Sequence, residues 1–280
     1  MKIAFWGNTR HCGVTSNLAA ISVASVIRFP YRLITFENHL GPNNLGSIYL
    51  GKPRADIVRE VGTNYYEGGG SEGLIRKIYR GQYDCNILGH YIREIIYHHL
   101  YYIPQGQVIH SELFDYEFNH CIHPFFQLMD HSAEISLIDT ACSNILSSKT
   151  ILAEADLIVV NLCQDPAILD DFFLNYSSLL PKAMILISQY SSHSIYSIKK
   201  ISRKYPVSPE RIYPIPYNEI FNNAIHYGSV IDFIFGNYHC MKESPNNFFI
   251  QAVKRAAYEM IKETERIQRR KSEELSPCGK

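Results

Sequence analysis

The chain is predicted to fold as an α/β domain: a mostly parallel β-sheet with helices on both faces. Three observations carry this. Short, continuous apolar runs recur from end to end, as in parallel strands buried on both faces. Segments with helical spacing of apolar residues lie between them, and that alternation builds βαβ units. The first run also leads through a glycine-bearing loop straight into a helix-forming segment, Met1 to Asn17, MKIAFWGNTRHCGVTSN.

The elements follow in chain order. The first strand, Lys2–Trp6, is the run Ile3, Ala4, Phe5, Trp6; Gly7 ends it, and Leu18-Ala19-Ala20-Ile21 marks a helix over 16–27. Apolar runs place further strands at 32–36, 135–138, 157–161 and 183–188, with a short one at 212–215. Helices are predicted at 114–131, 166–180 and 194–204. Residues 62–110 are less regular. There Gly68-Gly69-Gly70 with Ser71 reads as a turn, 74–79 and 90–99 as helices, and Tyr101-Tyr102-Ile103-Pro104 as a strand ending at a loop. The last helix, 245–270, carries an apolar stripe of Phe248, Phe249, Ala252, Val253, Ala256, Ala257, Met260 and Ile261. Beyond Ile261 the sequence turns polar, so a single domain over 1–265 followed by a disordered tail, 266–280, is expected.

Composition narrows the function. With 280 residues, 46% hydrophobic, 19% charged and net charge zero, the chain suits a soluble globular protein and offers no general attraction to nucleic acid. No apolar run approaches the ~20 residues of a membrane-spanning helix. The first strand reads directly into the loop, so it is not a removable leader, and a cytoplasmic protein is expected. The seven cysteines (12, 85, 121, 142, 163, 240 and 278) include no CxxC pair and fit reduced thiols. His120-Cys121-x-His123 lacks the second ligand pair of a structural zinc site.

The N-terminal loop points to phosphate. A strand, a loop with Gly7 and Gly13, and a helix opening on Thr15 and Ser16 form the order in which backbone N–H groups and a helix N-terminus hold an anion. The standard motif has a lysine before the threonine; here that residue is Val14. As a purely structural turn, the same glycines and hydroxyl residues would serve as loop and cap.

Four ordered segments resemble the MinD/ParA family of deviant P-loop ATPases. Thr9-Arg10-His11-Cys12-Gly13-Val14-Thr15-Ser16 stands against that family's K-G-G-x-G-K-T-T, matching at Gly13, Thr15 and Ser16 and replacing both lysines, by Thr9 and Val14. Leu33-Ile34-Thr35-Phe36-Glu37-Asn38-His39, followed by Asn43-Asn44-Leu45 and Leu50-Gly51, looks like the strand ending in D-x-D, then a loop and a short helix. Ile135-Ser136-Leu137-Ile138-Asp139-Thr140, then Ala155-Asp156, resembles the Walker B strand. Ile185-Leu186-Ile187-Ser188-Gln189, Ile215-Pro216 and Ala224-Ile225-His226-Tyr227-Gly228 resemble the later strand ends and the A-x-x-x-G element.

This resemblance implies a P-loop NTPase fold of SIMIBI type that binds ATP and Mg²⁺. Gly13, Val14, Thr15 and Ser16 would line the phosphates, with Arg10 lending charge. Thr15 and Asp139 would hold Mg²⁺, and Glu37 would position the attacking water. Gln189, in place of an asparagine, and Pro216 would meet the base. A homodimer with a protein partner is implied, without nucleic acid and with weak or indirect membrane contact at most. Hydrolysis should be impaired, because the missing lysine stabilises the transition state. The altered loop is similar to that of CpaE/TadZ-like proteins, which place Tad/Flp pilus machinery. The alternative is a nucleotide-independent scaffold that kept only the fold. An iron–sulfur cluster is not expected, since Cys142 follows Asp139 by three residues, too early for the cluster ligand.

Overall fold

The computed structural model describes residues 1–39, 44–51, 70–105, 111–142 and 145–275. The glycines at 68 and 69 lie outside them. The described strands form one sheet in the order β3-β4-β2-β5-β1-β6-β7-β8. These are β1 (Lys2–Trp6), β2 (Leu33–Glu37), β3 (Arg93–Ile96), β4 (Leu100–Tyr102), β5 (Ile135–Asp139), β6 (Leu157–Leu162), β7 (Ala183–Tyr190) and β8 (Ile212–Pro216). Every pairing is parallel except β3 with β4. The mostly parallel sheet expected from the sequence is therefore present.

The pleat sends alternate residues of β1 into two cores. Ile3 and Phe5 join Leu33, Leu137 and Val159 beneath α1 (Val14–Arg28), α2 (Leu45–Leu50), α8 (Glu219–Tyr227), α9 (Val230–Asn237) and α10 (Asn247–Leu275). Ala4 and Trp6 join Phe36, Ile138 and Val160 beneath α3 (Gly70–Tyr79), α4 (Ser111–Ser132), α5 (Leu146–Glu154), α6 (Pro166–Asn175) and α7 (Ile198–Lys204). Burial of both faces explains why these strands read as continuous apolar runs rather than alternating ones.

Chain order then places a crevice. From β1 the chain crosses β5 to reach β2, whereas from β5 it crosses β1 to reach β6 and continues outward to β8. The connections thus diverge around β1 and β5, and ligands of open α/β sheets bind at the carboxyl ends of strands at such a point. The loop 7–13, Glu37 and Asp139 all lie at those ends.

Two expectations are corrected. Residues 90–99 are not a helix: a short 3₁₀ turn, Ile87–His90, leads into β3, and His98 (φ 60°) turns the chain back into β4. The β-branched Ile92, Ile95 and Ile96 favour an extended edge strand. The polar stretch 266–275, expected to be disordered, continues α10. It is rich in helix-forming Arg, Gln, Lys and Glu, and Lys271 is anchored to the carboxylate of Asp156, the residue before β6. In the apolar stripe of α10, Phe249, Val253, Ala256, Ala257, Met260 and Ile261 are buried, while Phe248 faces solvent.

Candidate functional site

The loop between β1 and α1 is built for close approach. A Cβ on Gly7 would sit 2.8 Å from the carbonyl oxygen of Asn161, so only glycine fits there. His11 and Gly13 both adopt left-handed backbone, with φ of 64° and 74°. Gly13 is the N-cap of α1; it brings no side chain to that end, and its carbonyl accepts the first helical bond from the Asn17 N–H at 2.9 Å. The amides of Val14, Thr15 and Ser16 open the helix, an arrangement that suits a phosphate. Val14 packs against the core beneath α1, with Cγ2 3.4 Å from the point where a Gly7 Cβ would stand. Arg10 is exposed. On the outer side, the Asn8 amide donates to Asp171 at 2.7 Å and to the Ile168 carbonyl at 2.9 Å, tying the loop to α6.

A polar network fixes α1 to the strands beneath it. The buried Asn17 amide donates to Asn161 Oδ1 on β6 at 2.8 Å and to Ser188 Oγ on β7 at 2.9 Å. Ser188 also lies against the Gly13 backbone. Beside it, the thiols of Cys12 and Cys163 are 3.4 Å apart. The hydrogen bond with Cys163 and burial push the Cys12 thiol up, and the same hydrogen bond holds Cys163 down. Gln189 is exposed with a left-handed φ of 51°. The next residue, Tyr190, is in register with Pro216, so these two expected base contacts meet at adjoining strand ends.

The second part of the site joins β2 to β5. Glu37 and Asp139 are register partners at the ends of these strands, 1% and 2% exposed. His39 follows on the same loop and reaches both: its Nε2 is 3.0 Å from Asp139 Oδ2 and 3.7 Å from Glu37 Oε2. Glu37 is further engaged. Its Oε1 accepts the Tyr102 hydroxyl at 2.5 Å, and its Oε2 accepts the Leu45 N–H, the first amide of α2, at 3.0 Å. Desolvation pushes the Glu37 carboxyl up to about 7, against the pull of His39. Desolvation acts downward on His39, but the hydrogen bond and charge of Asp139, with the charge of Glu37, outweigh it and raise the imidazole to about 9. The ring is thus favoured as the cation beside Asp139, while burial disposes Glu37 to hold a proton. Asn38, between them in sequence, donates to Ser147 and Ser148 and accepts the Ala141 N–H, locking the two loops together.

The expected site residues therefore fall into groups: Gly13 through Ser16 at the head of α1, Glu37 with Asp139, and Gln189 with Pro216. Sequence reading missed Asn17, Asn161, Ser188, Tyr102 and the bridging role of His39. Each acts through a partner more than 60 residues away, and no local spacing signals that.

No protein-family model matches the sequence, and no curated protein does. Solved structures do. A ParA family ATPase from Chlorobium tepidum TLS superposes with a TM-score of 0.68 at 12% identity, covering 92% of this chain and 98% of that one. The chain has the MinD/ParA fold. The cell division ATPase MinD of Pyrococcus furiosus gives 0.66 at 13% identity, over 93% of this chain and 98% of the other. MinD of Pyrococcus horikoshii OT3, solved with Mg-ADP, gives 0.64 at 14% identity, over 92% and 95%. At these identities the shared property is the MinD/ParA architecture.

Proposed function

We propose that this chain is a nucleotide-responsive localisation or assembly factor of MinD/ParA type, with impaired or absent ATP hydrolysis. In this reading residues 1–265 act as one cytoplasmic domain that dimerises and engages a protein partner, in a Tad/Flp pilus or a secretion machine. The observation that carries it is the start of α1: a 15-residue helix opening behind a left-handed glycine, with no side chain capping its first amides, at the sheet's switch point. That end attracts phosphate through its N–H groups and its dipole. The Mg-ADP held by Pyrococcus horikoshii MinD supports an adenine nucleotide as the ligand.

In this role Gly13, Val14, Thr15 and Ser16 present their amides to the phosphates, Arg10 adds charge, and Thr15 with Asp139 holds the Mg²⁺ that accompanies the nucleotide. Gln189 and Pro216 border the base. Two features argue for weak turnover. Val14 supplies no ammonium, and losing one preorganised contact of that kind costs roughly 10²–10³ in rate. Each oxygen of Glu37 already accepts one hydrogen bond, from Tyr102 or Leu45, which fixes its orientation and leaves it less freedom to follow an attacking water. Nucleotide would then act by favouring one of two states of the chain.

Titration calorimetry with ATP and Mg²⁺ tests the reading, with Thr15→Ala as the control. Saturable heat that weakens in the variant is expected, and phosphate release should be at or near background. No heat with the wild-type chain overturns it in favour of the nucleotide-independent scaffold, a reading that the apolar Val14 beside Gly7 also favours.

A further inference from the structure

We infer that Glu37, His39 and Asp139 form a divalent transition-metal site, of the Mn²⁺ or Zn²⁺ class, that the chain fills without nucleotide. The three side chains converge: one donor atom from each lies within 4.8 Å of the other two. Two of its edges are 3.0 Å, from His39 Nε2 to Asp139 Oδ2, and 3.7 Å, from the same nitrogen to Glu37 Oε2. Ligands about 2.0–2.2 Å from one ion, at tetrahedral or octahedral angles, stand about 3.0–3.5 Å apart, so small side-chain adjustments suffice.

The donor set selects the metal. Mg²⁺ takes oxygen ligands in near-ideal octahedra and keeps much of its water. An imidazole nitrogen with two carboxylates suits Zn²⁺, Mn²⁺ or Co²⁺ instead. The ligands are also held from behind, as metal ligands commonly are. The Tyr102 hydroxyl and the Leu45 N–H orient Glu37, and the Gln105 amide holds the His39 carbonyl. Both carboxylates come from adjacent strand ends in register, so the rigid sheet sets their spacing. The His39 side chain is 21% exposed, which leaves an approach from solvent. Sequence spacing could not reveal the site, because Asp139 lies 100 residues from His39. It shares Asp139 with the expected Mg²⁺ site of Thr15 and Asp139 but differs in its other two ligands, in metal, and in needing no phosphate.

The test uses the full chain, stripped with chelator and free of nucleotide, titrated separately with ZnCl₂, MnCl₂ and MgCl₂. One Zn²⁺ or Mn²⁺ per chain is expected, Zn²⁺ binding tighter than Mn²⁺, with equimolar Mg²⁺ failing to compete. His39→Ala removes a direct ligand and should weaken binding by at least the roughly 10–100-fold that loss of an outer-shell partner costs, and abolish the nitrogen coupling in the pulsed electron paramagnetic spectrum of bound Mn²⁺. His39→Asp makes the set all-oxygen and should shift preference toward Mg²⁺. Far-ultraviolet circular dichroism establishes that each variant is folded; should His39→Ala unfold, the nitrogen coupling of the wild type and the selectivity of His39→Asp decide. Absence of binding, absence of nitrogen coupling, or Zn²⁺ binding unchanged in a folded His39 variant overturns the site and leaves an ion pair only. ATP takes no part in these measurements, so a negative ATP titration does not decide them, nor they it.

Discussion

His39 Nε2 lies 3.0 Å from Asp139 Oδ2, joining a loop residue to a strand end 100 positions later in the chain. With Glu37 Oε2 at 3.7 Å from the same nitrogen, the ring sits against two buried acidic side chains. Breaking a buried charge pair by removing one partner costs about 3–5 kcal/mol; partial exposure of His39 and the raised Glu37 carboxyl, which can take up a proton instead, reduce that. His39→Ala is expected to lower the stability of the metal-free chain by about 2 kcal/mol near neutral pH, measured by urea unfolding. His39→Gln, which keeps a donor but no charge, should lose most of the same amount. A change within about 0.5 kcal/mol, the ordinary range for surface substitutions, would show that the ring does not stabilise the two acids.

Val14 tests the phosphate loop from the other direction. It occupies the sequence position from which the standard motif's lysine reaches the terminal phosphates, and its Cγ2 instead approaches the point a Gly7 Cβ would take. Val14→Lys should therefore strengthen ATP binding and raise phosphate release, by up to about 10²-fold, since one contact is restored while Glu37 stays engaged. Calorimetry and a steady-state phosphate assay read the two effects separately. If neither changes while the variant stays folded, the loop is not a working phosphate site.

Much of this architecture was legible because buried parallel strands write themselves as continuous apolar runs. β1 matches its expected bounds, and β2, β5, β6 and β7 lie within two residues of theirs. Edge elements were harder. β3 is partly exposed, so its isoleucines fall at spacings a helix would share, and pairing with β4 decides the outcome. The polar end of α10 reads as disorder until Asp156 is seen opposite Lys271. The site divides in the same way. Gly13, Thr15 and Ser16 sit in one local motif, whereas the partners that orient Glu37 and Asn17 come from β4, β6 and β7.

The paired thiols beside the loop should differ in reactivity. Cys12 is 1% exposed, and its thiol is pushed up by the hydrogen bond with Cys163 and by burial; Cys163 is half-buried and held down by the same bond. The thiolate is the nucleophile, so Cys163 should alkylate with iodoacetamide well before Cys12. Peptide mass spectrometry over a time course measures the order. In Cys12→Ala the hydrogen-bond partner is gone and Cys163 should slow. Faster modification of Cys12 would mean that the two sulfurs are not arranged as described.

The anchor of α10 should fail in acid. Burial works against the charge on Asp156, but the Lys271 ammonium and the Lys2 N–H, which donates to it at 2.7 Å, outweigh burial and hold the carboxyl below its ordinary value of 3.8. The unfolded chain takes up this proton near the ordinary value, and the folded chain only at lower pH. The stabilisation is thus fully present above that ordinary value and is lost as pH falls through the depressed folded one. Because Lys271 is more than half exposed, the ion pair contributes about 1 kcal/mol or less. Asp156→Asn should therefore lower stability slightly at neutral pH and flatten the acid limb of the pH–stability curve. Its sharper signature is local: amides of 266–275 should exchange faster in Asp156→Asn and in Lys271→Ala alike, while those of the buried stripe from Phe249 to Ile261 keep their protection. Unchanged exchange in both variants would show that helix propensity alone holds the last turns of α10.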